Sequence, residues 1–139
     1  MNKKSIIASR VLKTASDGQK TSVRLDLSVP FKKGRVWTCD FNITATGVKI
    51  AGSAHGEDSL QALILGLDAI RKAFDNSGLA ASWLSGEAGD IGIPLLAPMA
   101  FGYSVQRKAE ESMKKTLAYQ IRNGLRKKGI RSKISVGDL

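Results

Sequence analysis

The feature that most constrains the fold of this chain is a change in the spacing of its apolar residues after residue 55. Before that point, in 22–29 (SVRLDLSV) and 37–45 (WTCDFNITA), apolar and polar residues alternate with a period of two. This alternation is typical of half-buried strands that turn one face to a core and the other to water. Beyond it, apolar residues recur at three- and four-residue intervals, as in an amphipathic helix. The change predicts an α+β fold in which a helix covers the apolar face of a sheet.

The strand pattern predicts an antiparallel meander of about four strands. Residues 6–12 and 48–54 add one strand before and one strand after the two alternating segments. Short stretches rich in turn-forming residues separate the four strands at 16–18, 30–34 and 46–47, and such stretches are typical of hairpin connections.

The first helix is predicted to begin after Asp58, an N-cap residue with Gln61 three positions later, and to stop at 76–78 (NSG). Small residues such as Gly66 widen its apolar side and predict close packing against another element. Its apolar stripe consists of Leu60, Leu63, Ile64, Leu67, Ile70 and Phe74.

A second, long helix is predicted over 104–128, with Gly129 at its end. Its apolar residues are four apart, so their stripe drifts around the helix by about 40° per step. The helix is therefore expected either to bend or break near 123–124 or to dock its later half elsewhere. We expect one domain over 1–139, with the sheet, first helix and glycine-rich loop in 1–103 and the basic helix and tail in 104–139.

Charge is distributed unevenly along the chain. The net charge is +10, and residues 105–133 hold ten Lys or Arg against two Glu, a local net of +8. This asymmetry points to an acidic partner or to nucleic acid. Cys39 is the single cysteine and no stretch reaches the roughly 20 apolar residues of a membrane span. These observations predict a cytoplasmic protein with no membrane association.

A glycine-rich stretch, 85–94 (SGEAGDIGIP), invites a functional explanation. Its glycine spacing differs from dinucleotide-binding and Walker fingerprints, and Glu87 and Asp90 alone do not form a calcium loop. To act as an acid/base pair, the two carboxylates would need a positioned partner residue, and the sequence does not supply one. The structural alternative is that they accept backbone N–H bonds within the loop or pair with Arg and Lys side chains, including those of the basic helix. We predict a partner-binding surface formed by Trp83, Glu87 and Asp90.

No catalytic residue, metal site or cofactor is predicted. His55 is the sole histidine and has no second ligand beside it, so a hydrogen-bonded turn residue is the preferred interpretation. Cys39 lies on the apolar face of its strand and is interpreted as a small buried residue. The nucleophile elbow of hydrolases is absent. The chain is therefore predicted not to be an enzyme.

The basic segment offers a second binding hypothesis. A patch on the second helix and beyond is suited to neutralising phosphates, while its structural alternative is a solvated helix face. Tyr119 is the lone aromatic residue among these charges, so stacking on single strands is not expected. The predicted basic patch consists of Arg122, Arg126, Lys127, Lys128 and Arg131.

Two motifs resemble those of a small bacterial domain family of unknown function. They are a D-S-x-Q-A-L helix start at 58–63 and a G-E-x-G-D-x-G-x-P loop at 86–94. The resemblance implies a fold and a bacterial origin but no catalytic residue. By analogy with small bacterial sheet-and-helix proteins without an active site, we predict an immunity protein that binds and neutralises a cognate toxin. The alternative is a nucleic-acid-binding protein that uses the basic helix; the partner's identity and the oligomeric state stay open.

Overall fold

The structure, a computed structural model, describes residues 5–14, 21–84, 86–94 and 102–127. The chain divides into two compact units, Met1–Leu95 and Leu96–Leu139. The first unit contains strands β1 (Ile6–Thr14), β2 (Ser22–Ser28), β3 (Phe31–Lys33), β4 (Val36–Ala45), β5 (Val48–Gly56) and β6 (Ala81–Ser82), with helix α1 (Ser59–Asp75) between β5 and β6. The second contains helix α2 (Tyr103–Lys127).

The first unit is built on an antiparallel sheet. Strands β1, β2, β4 and β5 pair with one another in sequence order, which confirms the predicted meander. The predicted number of strands was wrong, because the described residues form six rather than about four. The two additional strands are three and two residues long. Strands this short contain too few residues for an alternating pattern to be visible in the sequence.

Strand β3 lies in the stretch predicted as a hairpin connector. Strand β5 pairs along one edge of β4, so β2 and β3 share its other edge, separated by Val29 and Pro30. Pro30 has no backbone N–H with which to continue the ladder. The Ser28 hydroxyl bridges the interruption by accepting the Asp40 backbone N–H at 2.8 Å. Within the predicted connector, β3 therefore continues along β4 after β2, and the two form one interrupted strand.

Helix α1 begins as predicted. The Asp58 carboxylate accepts the Gln61 backbone N–H at 2.7 Å, and the Gln61 side chain accepts the Glu57 N–H at 2.6 Å. These reciprocal bonds satisfy two N–H groups at the helix start, as in a capping box.

The buried side of α1 combines small residues with most of the predicted stripe, since Ile70 and Phe74 belong to the core and Leu63 and Leu67 pack against it. Ala62, Gly66, Ile70 and Phe74 are buried, whereas Leu60 is 64% exposed, so its assignment to the stripe was wrong. A Cβ at Gly66 would lie 3.1 Å from both Cys39 Sγ and a Leu27 methyl carbon. The close approach confirms the prediction of tight packing and rotates the helix so that these small residues face the sheet.

The core lies between α1 and the sheet. It draws residues from four strands, from the helix and from the segment after β6. Its buried members are Leu12, Val23, Leu25, Leu27, Cys39, Phe41, Ile43, Ala62, Ile70, Phe74, Ala81 and Ile91. Because Ile91 belongs to this core, the glycine-rich loop before it begins and ends on the folded body.

Helix α2 is continuous from Tyr103 to Lys127, with no break at Asn123 or Gly124. Its 25 residues span about 37 Å at 1.5 Å per residue. Glu110 forms ion pairs with Arg107 at 2.8 Å and Lys114 at 3.6 Å along one side of the helix.

Candidate functional site

The glycine-rich loop, residues 83–94, is closed by backbone hydrogen bonds, one of which reaches the sheet at Ala81. It follows β6, which pairs with the end of β1 through Lys13 opposite Ser82 and Thr14 opposite Ala81. Four bonds then close the loop: Trp83 N–H to Asp90 O at 2.8 Å, Gly86 N–H to Trp83 O at 3.1 Å, Gly89 N–H to Ala81 O at 3.0 Å and Asp90 N–H to Glu87 O at 2.9 Å. The described residues of the loop, 83–84 and 86–94, therefore form a defined structure rather than a loose connector.

The three glycines of the loop serve different local requirements. Gly89 and Gly92 have positive φ angles of 94° and 68°, which side chains of L residues disfavour. Gly86 instead makes room for Asp90, because a Cβ there would lie 2.8 Å from a carboxylate oxygen. A Cβ at Gly92 would also overlap the Trp83 ring and lie 2.7 Å from Arg10 Nη1. The regular spacing thus reflects backbone geometry and packing.

Arg10 of β1 fastens the loop to the sheet. Its Nη1 donates to the Ile91 carbonyl at 2.9 Å, and its guanidinium carbon lies 4.0 Å from the centroid of the Trp83 ring. A cation over an indole face gains about 0.5–2 kcal/mol, depending on how far the pair is shielded from water. Arg10 was not among the residues predicted from the sequence. A signal was present, because Arg10 occupies the same side of β1 as the buried Leu12, where an apolar residue is expected.

The fastened loop exposes apolar surface. Trp83 is 37% exposed and Leu84 is 70% exposed. Leu84 also has a φ of 55°, the left-handed region that non-glycine residues seldom adopt. Strain of this kind costs of order 1–3 kcal/mol and persists where the surrounding structure enforces it. The loop therefore holds an exposed leucine in an unfavourable conformation beside an exposed tryptophan.

The two predicted carboxylates have different environments. Asp90 Oδ1 accepts the Gly92 backbone N–H at 2.9 Å, which is the structural alternative considered for it. The Glu87 carboxylate is exposed and forms no hydrogen bond or ion pair with any residue that the structure describes. Asp90 thus stabilises the loop and is itself exposed, and Glu87 is exposed beside it together with Trp83 and Leu84.

Cys39 and His55 occupy structural positions. Cys39 is fully buried beneath α1, and its thiol donates to the Ser28 carbonyl at 3.3 Å. Burial raises the pKa of this thiol, so the reactive thiolate is disfavoured. His55 lies on β5 and its Nδ1 is 3.1 Å from the Thr38 hydroxyl. Neither side chain forms a hydrogen bond with a described residue of the loop.

The face of the sheet that points away from α1 carries a polar cluster that was not predicted from the sequence. The buried carboxylate of Asp26 accepts bonds from Arg24 Nε at 2.8 and 2.9 Å and from the Ser9 hydroxyl at 2.5 Å. The hydrogen bond to Asp26 raises the pKa of the Arg24 guanidinium above its ordinary value. These residues belong to neighbouring strands, and their bonds satisfy a carboxylate that would otherwise be costly to bury.

The predicted basic patch is only partly described. Arg122 is exposed on α2. Arg126 and Lys127 belong to the helix, but their side chains lie outside what the structure describes, as do Lys128 and Arg131 altogether. Across the described ranges there is no cluster of three or more metal-ligating side chains, and neither helix is long and apolar enough to cross a membrane.

Comparison with known proteins identifies the family. Residues 8–95 match the model of a domain of unknown function, DUF6968, and the chain belongs to this family. The match ends where the first compact unit ends, so it contains the sheet, α1 and the loop but not α2. No curated protein and no solved structure gives a significant match.

Proposed function

We propose that this member of the DUF6968 family is a non-enzymatic binding protein whose loop at 83–94 recognises a protein partner. Its specific role, in this proposal, is that of a bacterial immunity protein that neutralises a cognate toxin in the cytoplasm. The observation that carries the proposal is that the loop is fastened to the sheet by Arg10 and by backbone bonds while Trp83, Leu84 and Glu87 stay exposed.

Such a loop is suited to recognition for an energetic reason. A loop that is already ordered loses little conformational entropy on binding, so more of its contact energy becomes affinity. Tryptophan is among the residues that contribute most to protein interfaces, particularly when a polar rim surrounds it. Trp83 and Leu84 supply the apolar centre and Glu87 supplies the rim. The partner is expected to place a basic group opposite Glu87.

The proposal is tested with a candidate toxin, the product of the reading frame adjacent to the gene for this chain. The two proteins are expressed together in a bacterial host and growth is measured. We expect the chain to restore growth and the double variant Trp83→Ala, Leu84→Ala to lose that protection. Glu87→Lys is expected to weaken it, whereas Glu57→Lys, the same change at an exposed glutamate before α1, preserves it.

Two results would contradict the proposal. One is toxicity that the chain does not relieve. The other is full protection by the double variant, provided that its circular dichroism spectrum shows it to be folded.

A second candidate function is nucleic-acid binding through α2. It is favoured by the composition of this helix, which has seven Lys or Arg and two Glu among its 25 residues. The proposed contacts are Arg122, Arg126, Lys127, Lys128 and Arg131. Binding through phosphates weakens steeply as salt rises, because bound counterions are released. Fluorescence anisotropy with random duplex DNA tests this between about 50 and 300 mM salt, a range over which the Debye length falls from about 14 to about 6 Å. Binding that is absent at low salt, or unaffected by Arg122→Glu, rejects it.

A further inference from the structure

A cavity of about 260 Å³ lies between the sheet, α1 and the end of the glycine-rich loop. Its apolar lining comes from three elements: Leu25 and Leu27 of β2, Leu67 and Ile70 of α1, and Ile93 and Pro94 of the loop. Ala8, Ser9 and Arg10 of β1 line it as well, and of the lining residues on the core side of the sheet Ala8 and Pro94 are exposed. The cavity is therefore open to solvent along β1, and its interior favours an apolar occupant.

Arg10 is the cationic residue of this lining. It is half-buried, and among the described residues it has no carboxylate partner. Its guanidinium carbon lies over the Trp83 ring, 4.0 Å from the centroid, and one N–H donates to Ile91. A guanidinium has five N–H donors in its plane, so its edge retains donors for an anion. A partly desolvated charge without a counter-charge is costly, and an anion beside it removes that cost.

We propose that this cavity binds a medium-chain aliphatic carboxylate, with the tail among the leucine and isoleucine side chains and the carboxylate on the edge of Arg10. The size agrees with this ligand class. Because a water-sized unit takes about 30 Å³, 260 Å³ accommodates about eight or nine non-hydrogen atoms, which matches the carbon chain of an acid of about eight carbons, with the two carboxylate oxygens outside this count on the edge of Arg10. A carboxylate matches the planar donor fork of arginine and accepts two parallel bonds from it. An uncharged apolar molecule fills the same space but leaves Arg10 without a counter-charge.

Octanoate is the probe, and octan-1-ol is its uncharged counterpart. Each is titrated into the full ¹⁵N-labelled chain while amide chemical shifts are recorded. We expect octanoate to bind once per chain, to shift the amides of Ala8, Gly92 and Leu67, and to bind about tenfold more tightly than octanol, as a charge-assisted bond implies. This comparison requires no variant, so it is independent of any effect of mutation on folding.

Variants then separate the two parts of the site. Arg10→Gln is expected to weaken octanoate binding about tenfold and octanol binding less, the latter because the loop that Arg10 fastens also lines the cavity, and Arg10→Lys retains part of the difference. Lys49→Gln removes the same charge from an exposed position on β5 and leaves both affinities unchanged. Leu67→Trp fills the cavity and abolishes the binding of both probes while Arg10 is retained.

Three results would overturn the assignment: equal affinities for octanoate and octanol, octanoate binding unaffected by Leu67→Trp, or no saturable shift at millimolar octanoate. The cavity shares Arg10 with the loop proposed to recognise a protein partner, but its other lining residues differ from the exposed residues Trp83, Leu84 and Glu87. Leu67→Trp alters the cavity but not the exposed residues of the loop, so it is expected to preserve protection against a toxin. Failure of one proposal is thereby distinguished from failure of the other.

Discussion

Helix α1 and the loop at 83–94 are both attached to the sheet at a glycine that leaves little or no room for a side chain. Gly66 of α1 packs on Cys39 and Leu27, whereas Gly92 of the loop packs on Trp83 and Arg10. The contact at α1 hides its neighbours, since Cys39 and Leu27 are buried. The contact at the loop leaves Trp83 and Leu84 exposed. Tight packing that buries side chains stabilises the fold, whereas tight packing beside exposed side chains holds those side chains in one conformation at the surface.

The comparison is tested most severely by removing one aromatic side chain from each region. Phe74 is 2% exposed on α1, and Phe74→Ala is expected to lower the free energy of unfolding by about 3–5 kcal/mol, because it leaves a cavity in the core. Trp83→Ala is expected to lower it by only about 1 kcal/mol, since the ring is partly solvated and loses mainly its contact with Arg10. Urea unfolding followed by far-ultraviolet circular dichroism measures both.

Equal losses for Phe74→Ala and Trp83→Ala would contradict the distinction. They would mean that the loop is a part of the core rather than a surface fastened to it.

A smaller effect is expected from Gly92→Ala, which tests the loop itself. Alanine at a positive φ costs about 1–2 kcal/mol, and displacement of the Trp83 ring raises the total to about 2–3 kcal/mol. Gly34→Ala is the matched control, because Gly34 has a φ of 64° and no atom within 4 Å of a Cβ. It is expected to incur the strain alone. Urea unfolding measures both, and Trp83 fluorescence in a Trp37→Phe background reports the displaced ring.

The same cost for the two glycine variants, with unchanged Trp83 fluorescence, would show that close packing at Gly92 contributes nothing.

The regions also differ in how far the sequence determines them. The N-cap of α1 and the four main strands were predicted because their signals are local: a capping pair three residues apart and a period of two. The attachment of the loop was not predicted, because Arg10 and Ile91 are 81 positions apart and their bond depends on the completed sheet. Trp83 and Glu87 were identified as candidates from residue type, but Leu84 acquires its importance only from a backbone angle that no sequence pattern records.

The smallest expected effect concerns an ion-pair cluster on α1 in which Asp68 and Arg71 are mostly buried and Lys72 is largely exposed. Lys72 Nζ lies 2.6 Å from Asp68 Oδ2 and Arg71 Nη2 lies 3.0 Å from Oδ1. The hydrogen bond from Lys72, assisted by Arg71 and opposed by burial, lowers the pKa of Asp68. A lowered pKa in the folded state stabilises the protein above the unfolded-state pKa, near 3.8, and this stabilisation is lost as pH falls through the folded-state value.

Asp68→Asn is therefore expected to flatten the decline of the free energy of unfolding below about pH 5, by less than about 1 kcal/mol because Lys72 is largely solvated. Urea unfolding between about pH 2 and 7 measures the slope, and an unchanged slope would contradict the role given to Asp68. Trp83 fluorescence is also measured in the Trp37→Phe background at urea concentrations below the unfolding transition. It is expected to depend on pH in the same way with and without Asp68→Asn. The loop is attached by backbone bonds and by Arg10, so a change confined to the surface of α1 leaves its display of Trp83 intact.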